Sequence, residues 1–207
     1  MTTHGPTRST RSTNSTDSRR WRTVDVVVAA VLAAAVGVVF WAWNLLWAAA
    51  SPAFETVPPL QGIMYGVWLL PGVLGAFILR KPGAAIYCSL VASVVSAFLG
   101  SQWGLTVVWY GLLQGLAPEL VFALTRYRSW RLVTGLVAAA AAGLAAVALD
   151  LTLYYPEWPL DWKLAYAALV ATSAAAVGGL GTWLLLKALA PTGVLAPFPS
   201  GRKQVRV

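Results

Sequence analysis

Apolar and polar positions fall in long blocks along this chain, not in the two-residue period of a half-buried strand. Residues 1–20 are mostly Ser, Thr and Arg, with Gly5 and Pro6 and no apolar repeat, which predicts a disordered tail because such a segment cannot bury enough surface to order itself. An apolar run then covers 24–47. At 1.5 Å per residue that is about 36 Å of helix, more than the roughly 30 Å of a hydrocarbon core. A cleavable leader would have an apolar stretch of about 7 to 15 residues, so this run is read as a retained membrane helix. Further runs cover 62–79, 84–99, 104–124, 132–154 and 162–190, divided by Pro58-Pro59, Lys81-Pro82-Gly83 and Pro156 with Pro159. Six helical spans result, the third being short. Continuous runs favour helices over a barrel, because a helix satisfies its own backbone hydrogen bonds inside lipid.

Composition agrees with that reading. Of the 207 residues 58% are hydrophobic and 11% charged, where a soluble domain carries about 25% charged residues. The net charge of +8 is distributed with a purpose. With the N-terminus inside, every Lys and Arg of the 15 except Lys163 falls on the cytoplasmic side, as the positive-inside rule requires. The chain is therefore read as a multi-pass cell-membrane protein with both termini cytoplasmic. Its divisions are a tail over 1–20, a six-helix domain over 21–192 and a C-terminal tail over 193–207. The basic residues are a topological signal, and nucleic acid is not an expected partner.

Aromatic residues are distributed unevenly on this topology. Of the 11 Trp, all but Trp21, Trp130 and Trp183 lie in the outer half, where two interfacial belts would be balanced. Trp41, Trp47, Tyr65, Trp68, Trp103, Tyr110 and Tyr154 are candidates for the wall of an outer cavity. Polar groups inside spans add to this, since a charged group at the bilayer centre costs about 2.5 to 3.5 kcal/mol even on lenient scales. Asn44 lies one turn from Trp41 and Trp47, Gln102 precedes the fourth span, Gln114 sits near its middle, and Asp150 lies one turn before Tyr154. Glu119 is some 15 residues into the fourth helix, roughly 22 Å deep. It is either a deep ligand contact, if Pro118 bends the helix, or a structural partner. Rings for stacking, amides for oriented hydrogen bonds and an acid for positive charge suit a small, flat, cationic heterocycle.

Several chemistries are excluded. The single histidine, His4, lies in the polar tail, which leaves no membrane histidine to activate a serine nucleophile. An aspartyl intramembrane protease needs two membrane aspartates, and Asp150 stands alone. One cysteine, Cys88, forms no internal disulfide, and no metal site is expected. The chain has no phosphate-loop motif and no evident inverted repeat of a self-sufficient carrier. Small-x-x-x-small pairs at Ala29 and Ala33, and at Ala30 and Ala34, allow close approach of a partner helix.

The order of several motifs resembles the YkoE-type substrate-binding (S) components of energy-coupling factor (ECF) transporters. These are Trp-Ala-Trp-Asn at 41–44, Tyr-Gly-Val-Trp-Leu-Leu-Pro-Gly at 65–72, Arg-Lys-Pro-Gly-Ala-Ala at 80–85, Gln-Gly-Leu-Ala-Pro-Glu-Leu-Val-Phe-Ala at 114–123 and Thr-Gly-Val-Leu at 192–195. The resemblance implies a six-helix S component that captures thiamine or its hydroxymethylpyrimidine precursor in an outer pocket closed by residues 48–61. It also implies a coupling transmembrane subunit, docked on the small residues of the first helix, and two cytoplasmic ATPases that use ATP in this chain's place. A self-contained small-molecule carrier or exporter, and a non-transporting membrane scaffold, are the competing readings of the residues.

Overall fold

The computed structural model describes residues 20–193, 195, 196 and 198–202. The anticipated N-terminal tail apart from Arg20, with His4, lies outside the described residues, as does much of the C-terminal one. Every element among the described residues is helical. Five segments are long and apolar enough to cross a bilayer: Thr23–Phe54, Pro58–Leu79, Thr106–Leu124, Leu132–Leu153 and Leu160–Thr192. A sixth apolar helix, Ala84–Phe98, is shorter.

Helix α1 (Thr23–Ala50) is the longest. After a short 3-10 turn at Ser51–Phe54, the chain re-enters as a 3-10 helix over Pro58–Leu69 that continues as α2 (Leu70–Leu79). The second span therefore begins at Pro58, earlier than its apolar run, because Pro58 and Pro59 sit in the first turn, where a missing N–H costs nothing. The 3-10 helix is tied to α6 (Leu160–Ser173): the Ser173 hydroxyl accepts the Gly66 N–H at 3.0 Å and donates to the Ile63 carbonyl at 2.5 Å. A Cβ on Gly66 would run into the Ser173 carbonyl, so this contact needs glycine.

Helix α3 (Ala84–Phe98) has 15 residues, about 22 Å, too short to span by itself. It lies between α1 and α4 (Thr106–Leu124). Its buried positions are small: Ala84, Ala85, Cys88, Ser89, Ala92, Ser93 and Ser96. Glycines on its neighbours meet them. A Cβ on Gly37 of α1 would lie 2.8 Å from the Ala92 carbonyl oxygen, and one on Gly115 of α4 would lie 2.7 Å from the Ile86 Cα. Helix–helix association in lipid rests on such close packing. The same interface corrects one expectation. Ala29 and Ala33 are 1% and 0% exposed and pack with Cys88, Ala84 and Leu74 inside the bundle, so they are not on a face open to a partner, whereas Ala30 and Ala34 are half-buried at the surface.

After α5 (Leu132–Leu153), the sixth span runs through α6, a π-helix over Ala174–Gly181 and α7 (Thr182–Leu189). The wide turns bring Gly178 against the Pro58–Leu69 helix and α5 and Gly179 against α5, and a Cβ on Gly179 would lie 2.9 Å from the Leu136 Cα. Leu195 and Phe198, beyond the last span, are buried against Ala29, Leu74, Ile78 and Leu79. A short α8 (Pro199–Arg202) follows, with the Ser200 hydroxyl donating to the Ile78 carbonyl at 3.2 Å.

One end of the bundle is closed by charge. Asp25, fully buried, accepts from the Arg22 N–H at 2.8 Å, from the Arg22 guanidinium at 3.2 and 3.3 Å, and from the Lys81 ammonium, itself 4% exposed. Lys81 also donates to the Arg20 carbonyl at 2.5 Å, and the Trp21 indole donates to the Pro82 carbonyl at 2.8 Å. These contacts bolt the start of α1 to the loop between α2 and α3. Asp25 is also paired with the Arg22 guanidinium, 3.2 Å away, so losing Lys81 does not strand it completely. Lys81→Met is expected to cost about 1 to 3 kcal/mol by thermal unfolding in detergent, and Lys81→Met with Asp25→Leu to recover most of it.

Candidate ligand-binding site

At the opposite end, α1, the Pro58–Leu69 helix and α3 to α6 surround a cavity of about 100 Å³. Asn44, near the end of α1, is 5% exposed and organises one wall. Its amide nitrogen donates to the Ser96 hydroxyl at 3.2 Å and to Ser101 at 3.5 Å, while its oxygen accepts the Trp68 indole N–H at 2.9 Å. A polar side chain deep in an apolar helix is stable there because each of its groups is used. The consequence is a fixed Trp68 ring.

From Trp68 the rings continue in both directions. Trp68 meets Trp103 edge-on at 5.6 Å, and Trp103 meets Trp47 at 5.4 Å. On the other side Trp68 meets Tyr65 at 5.4 Å and Tyr65 meets Tyr166 at 6.3 Å. Tyr166 contacts Tyr155 and Trp158, which stack on each other at 4.1 Å and 17°. Edge-to-face pairs of this kind favour a rigid wall.

Asp150 of α5 closes the other side. It is 5% exposed, and its two oxygens accept the Tyr110 hydroxyl of α4 at 2.5 Å and the Tyr166 hydroxyl of α6 at 2.6 Å. A carboxylate offers about four lone-pair positions, so Tyr110, Tyr166 and the neighbouring Tyr65 hydroxyl still leave it able to accept a further donor. Tyr155, in the connection from α5 to α6, donates to the Gln61 side-chain oxygen at 3.3 Å. Burial raises its pKa above the ordinary phenol value, which keeps it a donor. Gln114 is 6% exposed, faces the cavity, and makes no side-chain hydrogen bond to another described residue. Its amide is the group in the lining most available to a ligand.

The candidates divide cleanly by position. Asn44, Trp47, Tyr65, Trp68, Trp103, Tyr110, Gln114, Asp150 and Tyr154 line the cavity. Trp41 is 38% exposed on the outer face of α1, and Gln102 is exposed in the loop before α4. Glu119 lies elsewhere: it accepts the Gly83 N–H at 2.6 Å, the Ala85 N–H at 3.0 Å and the Tyr127 hydroxyl at 2.6 Å. It satisfies the first amides of α3 from a neighbouring helix, a demand that every helix start makes. The α4 helix carries Pro118 without a break, so nothing swings Glu119 towards the cavity. Phe40, Gln61, Ser93, Ser96, Val107, Tyr155 and Tyr166 also line the cavity and were not singled out beforehand. The outer tyrosines were the signal for two of them. Small serines in an apolar helix carry no such signal.

The lining contains one carboxylate and no Lys, Arg or His. Among the described residues no group of three or more His, Cys, Asp or Glu comes together. The arrangement can stack a flat ring, read its edge with an amide, and accept N–H donors or positive charge at Asp150.

Membrane helices around a cavity lined by rings, an amide and a carboxylate suit a transport protein, and comparison with known proteins agrees. The chain belongs to the family described as the ABC-type cobalt transport system, permease component, whose model matches residues 24–145. It is 28% identical over 191 residues to "Putative HMP/thiamine permease protein YkoE" of Bacillus subtilis (strain 168), covering 89% of this chain and 92% of that one. A crystal structure described as an S-component of an ECF transporter superposes with a TM-score of 0.86 at 27% identity, covering 90% of this chain and 94% of that chain. The resemblance to YkoE-type S components and the all-helical S-component fold are borne out. The chain is a multi-pass membrane transport component of the substrate-binding S type, and not an enzyme.

Asp150→Asn leaves two tyrosine hydroxyls competing for one carbonyl oxygen. It is expected to lower unfolding stability by about 1 to 3 kcal/mol, measured by thermal unfolding of the detergent-solubilised protein. In Tyr110→Phe, which removes one competing donor, the same substitution is expected to cost less.

Proposed function

We propose that this chain captures thiamine or its hydroxymethylpyrimidine precursor in the cavity and delivers it to an ECF-type importer. The observation that carries the proposal is the lining itself: a continuous aromatic wall, one unengaged amide at Gln114 and one carboxylate at Asp150, with no cation. An aminopyrimidine presents a flat ring with an edge of donors and acceptors. Gln114 supplies both kinds of partner, and Asp150 accepts from the exocyclic amine. The name of the Bacillus subtilis relative points to the same ligands. Cobalt, in the description of the family, would need imidazole, thiolate or several carboxylates, and the lining offers one carboxylate.

The cavity faces the outside of the cell in this reading. Arg80, Lys81, Arg126, Arg128 and Arg131 lie in the connections at the opposite end, with Asp25, which is the pattern of a cytoplasmic side. Residues 48–61, from the end of α1 into the first turns of the second span, form the lid, and Gln61 is already part of the wall. Energy comes from a coupling transmembrane subunit and two cytoplasmic ATPases. On α1 the surface offered to the coupling subunit is Ala30 and Ala34 with the exposed Val27, Val31 and Val38.

Titration of the detergent-purified protein with thiamine and with hydroxymethylpyrimidine, followed by tryptophan fluorescence, is expected to saturate below about 100 μM, a free energy of about 5.5 kcal/mol. Phosphate esters of either are expected to bind at least about tenfold more weakly, since an anion meets a carboxylate and no cation. Asp150→Asn is expected to weaken binding by about 1 to 3 kcal/mol, whereas Glu119→Gln leaves affinity unchanged. Absence of saturation with both ligands would count against the proposal. Uptake into proteoliposomes by this chain alone, without ATP, would favour a self-contained carrier.

A further inference from the structure

At the braced end of the bundle, away from the cavity, the fold does not use all of the arginines. Asp25 takes Arg22 and Lys81, and Glu119 takes the Gly83 and Ala85 N–H groups and the Tyr127 hydroxyl. Arg80, half-buried, makes no ion pair and no hydrogen bond to another described residue, and its Nε is enclosed without a partner. The face of Trp130 holds it instead, with the guanidinium carbon 5.6 Å from the ring centre. Trp130 is itself fixed: it stacks on Phe122 at 5.1 Å and 22°, and its indole donates to the Tyr127 carbonyl at 3.1 Å. Backbone strain marks the same place. Arg80 caps α2 with φ 52°, a left-handed conformation that glycine adopts freely and arginine does not. Arg126 and Tyr127, in the connection from α4 to α5, have φ 53° and 57°, and no other non-glycine residue among the described ones has a positive φ. An arginine held where glycine would be relaxed points to a use for its side chain.

Arg128 and Arg131 lie on either side of Trp130 in sequence and are exposed. The helices that meet there carry apolar surface with no protein over it: Leu120 and Leu124 on α4, and Val133 and Val137 on α5, are all exposed. Guanidinium groups at the end of a bare apolar surface match a phosphate that carries acyl chains, since a guanidinium fork pairs with phosphate oxygens and the chains cover the apolar side chains. We propose that Arg80, with Arg128 and Arg131 about Trp130, forms a site for the phosphate headgroup of an anionic phospholipid, whose acyl chains lie along α4 and α5. The lipid phosphate supplies the counter-charge that no acid of the chain gives to Arg80. This site is separate from the ligand cavity and does not depend on the ligand proposed for it.

Native mass spectrometry of the full chain in detergent, titrated with phosphatidylglycerol or with phosphatidylcholine of the same chain length, tests the site. Wild type is expected to retain phosphatidylglycerol at least about tenfold better than phosphatidylcholine, as several basic residues at one headgroup allow. Arg80→Gly, which relaxes the backbone at that position, and Arg131→Gln, at an exposed one, are each expected to weaken phosphatidylglycerol about fivefold and to leave phosphatidylcholine unchanged. Lys187→Gln removes a charge held over the Trp183 ring of α7 and is expected to leave both lipids unchanged. Glycerol phosphate, a headgroup without chains, is expected to bind at least about tenfold more weakly than the lipid. Equal retention of the two lipids by wild type would overturn the site. So would equal losses in Arg80→Gly and Lys187→Gln, the mark of a general attraction to positive charge. Glycerol phosphate bound as tightly as phosphatidylglycerol would overturn the lipid as the occupant.

Discussion

A carboxylate buried at the end of three membrane helices governs this structure. Asp150 can occupy α5 because Tyr110 of α4 and Tyr166 of α6 direct their hydroxyls at it; without them its desolvation would be unpaid in hydrogen bonds. The same two bonds set the spacing of α4, α5 and α6 at that end. Tyr166 in turn touches Tyr65, Tyr155 and Trp158, so the acid also positions much of the aromatic wall. A group that is costly in lipid is retained here because it arranges a cavity and stays able to accept donors within it.

The two ends of the bundle are built differently. At one end Asp25, Lys81 and Glu119 consume their charge internally: a buried ion pair joins α1 to the loop after α2, and a carboxylate from α4 caps α3. At the other end polar groups face a space. Asn44 is satisfied by Trp68, Ser96 and Ser101, but Gln114 and the remaining lone pairs of Asp150 are directed into the cavity. Close packing of α3 against Gly37, Gly111 and Gly115 makes the middle of the bundle tight. The cavity thus lies at one end, where the proposed function puts the ligand, and the other end serves as a brace.

The spans were legible in the sequence because a bilayer imposes a length on every apolar run, and the short third run is a short third helix. The end of the bundle at which the cavity's aromatic residues fall was equally legible, since distance along a helix is distance along the bundle. The direction in which each side chain points was not. Trp41 and Asn44 are three residues apart at nearly the same depth, yet one faces outward and the other is buried. Glu119 illustrates a second limit. Its partners are the backbone N–H groups of Gly83 and Ala85, which carry no side-chain signature, so a capping acid and a binding acid look alike in sequence. The small-residue pairs on α1 carried the same ambiguity, and Ala29 and Ala33 turned inward to α3. The π-helix over Ala174–Gly181 lies where glycines press against the Pro58–Leu69 helix and α5, a tertiary demand invisible along one segment.

The central claim is that the space between Trp68, Gln114 and Asp150 holds the transported ligand. A structure of the protein bound to thiamine, determined in detergent or nanodisc, tests it most directly. The account predicts a pyrimidine ring against the Trp68 and Trp103 wall, with its edge on the Gln114 amide and its amine on Asp150. A ligand seated anywhere else on the protein, with this cavity empty, would contradict it.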